Sequence, residues 1–108
     1  MQHELMVHAA KNGDDDAFYR LILDNKEKMY RIAYSYFKNE TDALEAIQEV
    51  TYRAYVRIKK LREPQYFNTW LIRIMINYCL DEMKKGNRFV QGEVNLENSD
   101  QLQTSGQI

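Results

Sequence analysis

Nine of the eleven residues from Trp70 to Leu80 are Trp, Leu, Ile, Met, Tyr or Cys. A helix apolar almost all round is enclosed by its neighbours, so this segment is predicted to be the centre of a helical bundle. The helix is predicted to start near Phe67–Thr69 and to stop at Gly86, just after Lys84 and Lys85. Arg73 and Asn77 interrupt the run four residues apart on one face. The run falls short of the ~18 residues of a membrane span, and the N-terminus lacks a signal-peptide core. A soluble, intracellular chain is expected. Its 108 residues leave room for one domain, and only four Gly and one Pro supply turns, which argues against a many-stranded β fold. All-α is the expected class.

Two further helices are legible upstream. Asp14, Asp15 and Asp16 follow Gly13 and suit the capped, dipole-complementing start of a helix from about Asp16 to Lys38. Phe18, Ile22, Met29, Ala33, Tyr36 and Phe37 recur on one of its faces. Asn39-Glu40-Thr41-Asp42 breaks that pattern and caps a second helix to about Lys60. In it, Leu44, Ile47, Thr51, Ala54 and Ile58 form the expected buried seam, while Asp42, Glu45, Gln48, Glu49 and Tyr52 occupy a face the core does not need. Pro64 places a loop over Leu61–Asn68. Residues 1–13 hold enough Met, Val and Ala for a short N-terminal helical turn. The expected architecture is thus a bundle of three long helices with a short N-terminal helix ahead of them. Residues 91–108 contain no aromatic residue, no Lys and no Arg, and read as a linker or flexible C-terminal tail beyond a domain of residues 1–90.

Charge divides the chain. Residues 1–56 carry 7 Lys/Arg against 10 Asp/Glu, residues 57–90 carry 8 against 3, and residues 91–108 carry 0 against 3. An acidic half followed by a basic segment implies two surfaces with different partners. Catalysis has little support: there is no phosphate-binding Gly loop and no His paired with Cys or Ser within the helices. His3 and His8, five apart, miss the spacing of a helical ligand pair, and the three consecutive aspartates point three ways, so no metal or other cofactor is expected. Cys79 is the sole cysteine and lies in the apolar run, where a packed core thiol is the better reading. What remains is a basic segment threaded with aromatics, including Arg57, Lys59, Lys60, Arg62, Tyr66, Phe67, Trp70 and Arg73. Cations neutralise phosphates and flat rings accept unstacked bases, so the mixture suits single-stranded nucleic acid. A solvated charged face over core aromatics would produce the same composition.

Motifs separate these readings. Asp42-Ala43-Leu44-Glu45-Ala46-Ile47-Gln48-Glu49-Val50, followed by Ala54, resembles the D-A-E-D-L-x-Q-E-V-F-x-x-A pattern of region 2.2 in bacterial sigma factors. Phe67-Asn68-Thr69-Trp70-Leu71-Ile72-Arg73-Ile74, then Asn77, Asp81 and Lys84-Lys85, is similar to the F-x-x-W-L-x-R-I-x-x-N-x-x-x-D-x-x-R pattern of regions 2.3 and 2.4. Ala17–Leu21 and Tyr30–Ala33 match the opening helix of the same domain. The resemblance spans about residues 14–88 and is strongest to the extracytoplasmic-function (ECF) group. Two positions depart from it: Thr51 stands where the family often has an aromatic, and Lys84-Lys85-Gly86-Asn87-Arg88 replaces an Arg run. No second, helix-turn-helix domain follows, so an isolated promoter-melting domain is expected.

The resemblance implies a non-enzymatic role and a set of partners. Asp42, Glu45, Gln48, Glu49 and Tyr52 match the face that meets the clamp helices of the largest subunit of core RNA polymerase. Arg62, Tyr66, Asn68, Arg73, Asn77, Lys84, Lys85 and Arg88 match positions that hold the single-stranded non-template −10 promoter DNA. A membrane-anchored anti-sigma factor is the implied inhibitor, and no small-molecule substrate is implied. A helical protein-interaction module without DNA recognition is the alternative. A duplex-reading helix-turn-helix is disfavoured, because the Trp70–Leu80 helix is too apolar to lie in a major groove.

Overall fold

The computed structural model describes residues 2–86. Four helices run in order: α1 (Gln2–Lys11), α2 (Asp15–Phe37), α3 (Glu40–Arg57) and α4 (Phe67–Lys85). Two 3-10 turns, Ile58–Lys60 and Pro64–Tyr66, link α3 to α4. There is no strand among the described residues, as an all-α chain requires. The tail proposed for residues 91–108, and Arg88, lie outside the described residues.

Local chemistry sets the helix ends. Asp14 is the N-cap of α2, its carboxylate accepting the Ala17 N–H at 3.1 Å. Asn39 does the same for α3, accepting from Asp42 N–H at 2.8 Å. Between them Lys38 turns the chain in the left-handed region (φ 56°), so α2 and α3 form a tight antiparallel hairpin. A lysine held there carries a local steric cost that a glycine would not. At the far end Gly86 (φ 77°) closes α4, its N–H donating to the Met83 carbonyl at 3.1 Å.

The core lies where α2, α3 and α4 meet and is extended by α1. Leu21, Met29, Ala33, Ala43, Ala46, Val50, Ala54, Phe67, Leu71, Met75 and Cys79 are fully buried in it. Phe18, Ile22, Met29, Ala33 and Phe37 of the predicted α2 face are buried, and Tyr36 is half-buried. Asn25 is the polar exception on that face. Its Nδ2 donates to the Leu21 carbonyl at 2.9 Å and to Asn68 Oδ1 at 3.0 Å, which satisfies the buried amide and pins α2 to the start of α4.

Three expectations change. Ile47, Ala54 and Ile58 of the expected α3 seam are buried, but Leu44 is 45% exposed and Thr51 half-buried; Ala43, Ala46 and Val50 complete the seam instead. The alanines let α3 approach its neighbours closely, which a larger side chain at those positions would prevent. The second helix also begins at Glu40 and ends at Arg57, where the chain tightens into a 3-10 turn. Secondly, α4 is not enclosed all round: Leu80 is 45% exposed, Ile72 and Ile76 are half-buried, and one side stays open. Thirdly, the loop predicted over Leu61–Asn68 is irregular only at Leu61–Glu63: Pro64–Tyr66 form a 3-10 turn, and Phe67 and Asn68 belong to the first turn of α4. The short N-terminal helix expected ahead of the three long ones is present as α1, ten residues long and packed on α2 and on both 3-10 turns.

Cys79 sits in this core with its Sγ 3.7 Å from Met75 Sδ. Burial, reinforced by the Glu82 carboxylate, pushes its thiol up to about 11 from an ordinary value of 9. The folded state therefore holds this proton more tightly than the unfolded chain does. Its contribution to stability is complete below pH 9 and is lost as the pH rises towards 11. A thiol reagent at pH 7–8 is expected to leave Cys79 unmodified in the native chain and to titrate it fully in denaturant. Rapid labelling without denaturant would overturn that packing.

Candidate nucleic-acid interface

The open side of α4 carries the polar residues that interrupt its apolar run. Thr69, Arg73, Asn77 and Lys84 are all exposed and repeat at helical spacing, forming one stripe along the helix. This is why Arg73 and Asn77 could occur inside an apolar segment: the stripe is the side that no other helix covers.

At the N-terminal end of the stripe the chain opens into a cleft of about 530 Å³. Its lining comprises Leu61, Arg62 and Glu63 from the inter-helix segment, Tyr66 at the end of the second 3-10 turn, and Thr69, Trp70 and Arg73 from α4. Pro64 opens that turn, its fixed φ pre-set for the first position. Leu61 is buried and Trp70 half-buried, so the lining has an apolar part, and Trp70 tilts against the fully buried Phe67 at 5.6 Å. Tyr66 is 57% exposed and keeps its ring accessible. Two guanidinium groups and one carboxylate complete the lining. Chemically, the cleft offers aromatic faces for stacking, cations for phosphate and a hydroxyl for hydrogen bonding.

The structure thus brings Arg62, Tyr66 and Arg73 together, with Asn77 and Lys84 continuing the stripe. Asn68 is separate: it is not part of the lining, and its carboxamide oxygen is taken by Asn25. Lys85 is exposed and pairs with Glu82 at 3.3 Å. The lining residues that sequence reasoning missed are Leu61, Glu63, Thr69 and Trp70. Trp70 reads as core from its apolar neighbours, and only the bend of the preceding turns puts one side of it in the cleft.

A second surface lies on α3. Glu45, Gln48 and Glu49 line a shallow depression of about 300 Å³ together with Tyr78 of α4. Glu49 accepts from Arg53 Nε at 3.0 Å, and the Arg53 guanidinium lies 5.1 Å from the centre of the Tyr78 ring. Asp42 is half-buried beside its cap, whereas Tyr52 is 63% exposed. Tyr55 and Val56 are about half exposed on the same helix, and Tyr55 donates its hydroxyl hydrogen to Asp15 Oδ1 at 2.9 Å. That bond to a carboxylate holds the Tyr55 hydroxyl above its ordinary pKa. Leu44, placed in the core by its spacing from Ile47, belongs to this exposed side. The four-residue steps Leu44–Gln48–Tyr52–Val56 are the signal that would have found it.

Among the described residues no helix is long and apolar enough to cross a membrane. The described residues thus form an all-α domain with an aromatic, cationic cleft beside one helix and an acidic, partly apolar face on another. Its family follows from comparison with known proteins. The chain belongs to the sigma-70 region 2 family, whose model matches residues 21–89. It is 35% identical over 79 residues to the ECF RNA polymerase sigma factor SigW of Bacillus subtilis, covering 73% of this chain and 42% of that protein. It is 34% identical over 64 residues to RNA polymerase sigma factor SigV of the same organism, covering 59% of this chain and 39% of the relative. Against the RNA polymerase sigma-H factor of Pseudomonas aeruginosa it is 27% identical over 100 residues, covering 92% of this chain and 52% of the relative. The chain therefore spans about half or less of the length of these curated relatives. No solved structure matches it at comparable significance.

Proposed function

We propose that this chain acts in transcription initiation as the domain of an ECF sigma factor that docks on core RNA polymerase and captures the melted non-template strand of the −10 element. The observation that carries this reading is the cleft formed by Tyr66, Trp70, Arg62 and Arg73 at the head of the Arg73–Asn77–Lys84 stripe. Flipping a base out of a duplex costs a few kcal/mol, which a pocket must offset. Tyr66 and Trp70 supply stacking surface for such a base, while Arg62 and Arg73 neutralise its flanking phosphates. Asn77, one turn along, offers a donor and an acceptor to the next base edge, and Lys84, Lys85 and Arg88 hold backbone. In this reading the chain performs no chemistry: it binds and positions, and it works in the cytoplasm beside polymerase. The acidic α3 face, centred on Glu45, Gln48, Glu49 and Tyr52, is the polymerase side. An anti-sigma factor, itself anchored to a membrane, would inhibit by covering both surfaces.

Fluorescence anisotropy with a single-stranded DNA and its duplex tests the reading. The single strand is expected to bind more tightly. Lys84→Ala is expected to weaken all single strands alike and to lower the salt slope by about 0.7, the value for one phosphate contact on a single strand. Asn77→Ala should instead weaken binding selectively by sequence and leave that slope unchanged. Equal binding to duplex and single strand would defeat strand capture. Binding to core polymerase with no DNA binding at all would favour the protein-interaction module.

A further inference from the structure

We infer that α1 is a splint that sets the shape of the cleft, with Lys11 and His3 as its positioning residues; the functional part of this inference rests on the strand-capture reading above. The segment that forms one side of the cleft has little structure of its own. Two three-residue 3-10 turns flank Leu61–Glu63, and such turns have poorer hydrogen-bond geometry than an α-helix. Within this backbone Leu61 N–H donates to the Ile58 carbonyl at 3.0 Å and Tyr66 N–H to the Glu63 carbonyl at 2.9 Å. The Leu61 carbonyl is held from outside the segment: it accepts from the Lys11 ammonium, at the C-terminal end of α1.

The opposite end of α1 reaches the other side of the cleft. His3 meets the Phe67 ring edge-on, with centroids 6.3 Å apart and planes at 64°. Phe67 is fully buried and in turn packs against Trp70 at 5.6 Å. The His3 Nε2 is buried without a hydrogen-bond partner, so the ring acts on Phe67 through packing. Between these two ends Val7 and Ala10 are buried, which fixes the helix in place. Lys11–Leu61 thus holds one wall and His3–Phe67–Trp70 the other. No α1 residue lines the cleft, and the family match begins only at residue 21. Ordering a long lysine side chain costs conformational entropy, and a charge-assisted bond is strong enough to hold it. The consequence is that α1 governs how well the cleft discriminates between bases without touching DNA.

The test uses the whole 108-residue chain with Lys11→Met, which keeps the apolar stem but removes the donor, and Lys11→Arg, which restores one. Trp70 is the sole tryptophan and reports the cleft directly, independent of any DNA. Acrylamide quenching of Trp70 is expected to rise in Lys11→Met and to return towards the parent value in Lys11→Arg. Anisotropy with labelled ten-nucleotide dT, dA and dC homopolymers reads selectivity as the ratio of tightest to weakest affinity. That ratio is expected to fall roughly threefold or more in Lys11→Met and to recover in Lys11→Arg, with the salt slope unchanged. Unchanged quenching and an unchanged ratio in Lys11→Met, with only a lower Tm, would overturn the inference and leave α1 a purely stabilising element. A salt slope lower by about 0.7 would overturn it differently, making Lys11 a direct phosphate contact. Should the parent chain bind all three homopolymers equally, the base-capture reading is what fails. The quenching result then still decides whether α1 shapes the cleft.

Discussion

Tyr66→Ala is expected to weaken single-stranded DNA binding by about 1–3 kcal/mol, roughly 5- to 150-fold, because that is the worth of one base stacked on an aromatic side chain. Its effect on stability should be small. The ring is 57% exposed, so truncation removes little buried surface and leaves no cavity. The adjacent Phe67 gives the opposite result. Its side chain is fully buried between α1 and the base of α4, and Phe67→Ala is expected to cost about 3–5 kcal/mol of stability. Against a total of about 5–15 kcal/mol for a domain, that loss lowers Tm by many degrees. Thermal unfolding followed by circular dichroism and anisotropy titration on the same two variants separate the roles. Tyr66→Phe, which keeps the ring, should retain most of the affinity. If Tyr66→Ala instead bound single strands like the parent chain while unfolding at a lower temperature, the ring would be packing and not stacking.

The division of labour between neighbours such as Tyr66 and Phe67 marks where sequence reading stops. Helix identity was legible because capping chemistry and periodicity agree: Asp14 and Asn39 cap, Gly86 terminates, and the α2 face from Phe18 to Phe37 is core. On α3 the expected seam holds at Ile47, Ala54 and Ile58 and fails only at Leu44 and Thr51, whose places in the core are taken by the preceding residues Ala43 and Val50. Leu44 looks like a better core residue than Ala43, yet close helix approach selects the alanine. On α4 the composition of Trp70–Leu80 concealed an open side, since the run is averaged around the helix and only Arg73 and Asn77 betray the stripe. The cleft itself could not be read locally. Arg62, Tyr66 and Arg73 converge because two 3-10 turns bend the chain back beside α4, and those turns pack against α1, which is distant in sequence. Asn68 illustrates the converse. Its residue type suits base recognition, but its oxygen faces a partner 43 positions away, Asn25, which no motif announces.

The same arithmetic of exposure picks out a centre for the docking face proposed on α3. Interfaces concentrate binding energy in a few aromatic or Arg anchors surrounded by near-neutral polar contacts. Tyr52, 63% exposed amid Gln48, Val56 and the acidic rim, is the side chain of α3 best suited to be that anchor. Tyr52→Ala is therefore expected to weaken binding to core RNA polymerase by about 2 kcal/mol or more, some 30-fold, mainly through faster dissociation. Glu45→Ala should act differently. An exposed rim carboxylate contributes to encounter rate and its salt dependence, so the loss should be several-fold and shrink at high salt. For Glu49→Ala the direct effect is mixed with release of Arg53 from its 3.0 Å bond, which frees the guanidinium beside Tyr78. The double substitution Gln48→Ala with Glu49→Ala is expected to weaken docking while leaving the unfolding transition in place, since neither side chain is in the core. Titration of labelled chain against core enzyme at two salt concentrations distinguishes anchor from rim. Single-strand affinity should be unchanged in all of these variants, because the α3 face and the cleft share no lining residue. A Tyr52→Ala chain that bound core enzyme like its parent would remove the anchor from α3 and move the docking surface elsewhere on the bundle.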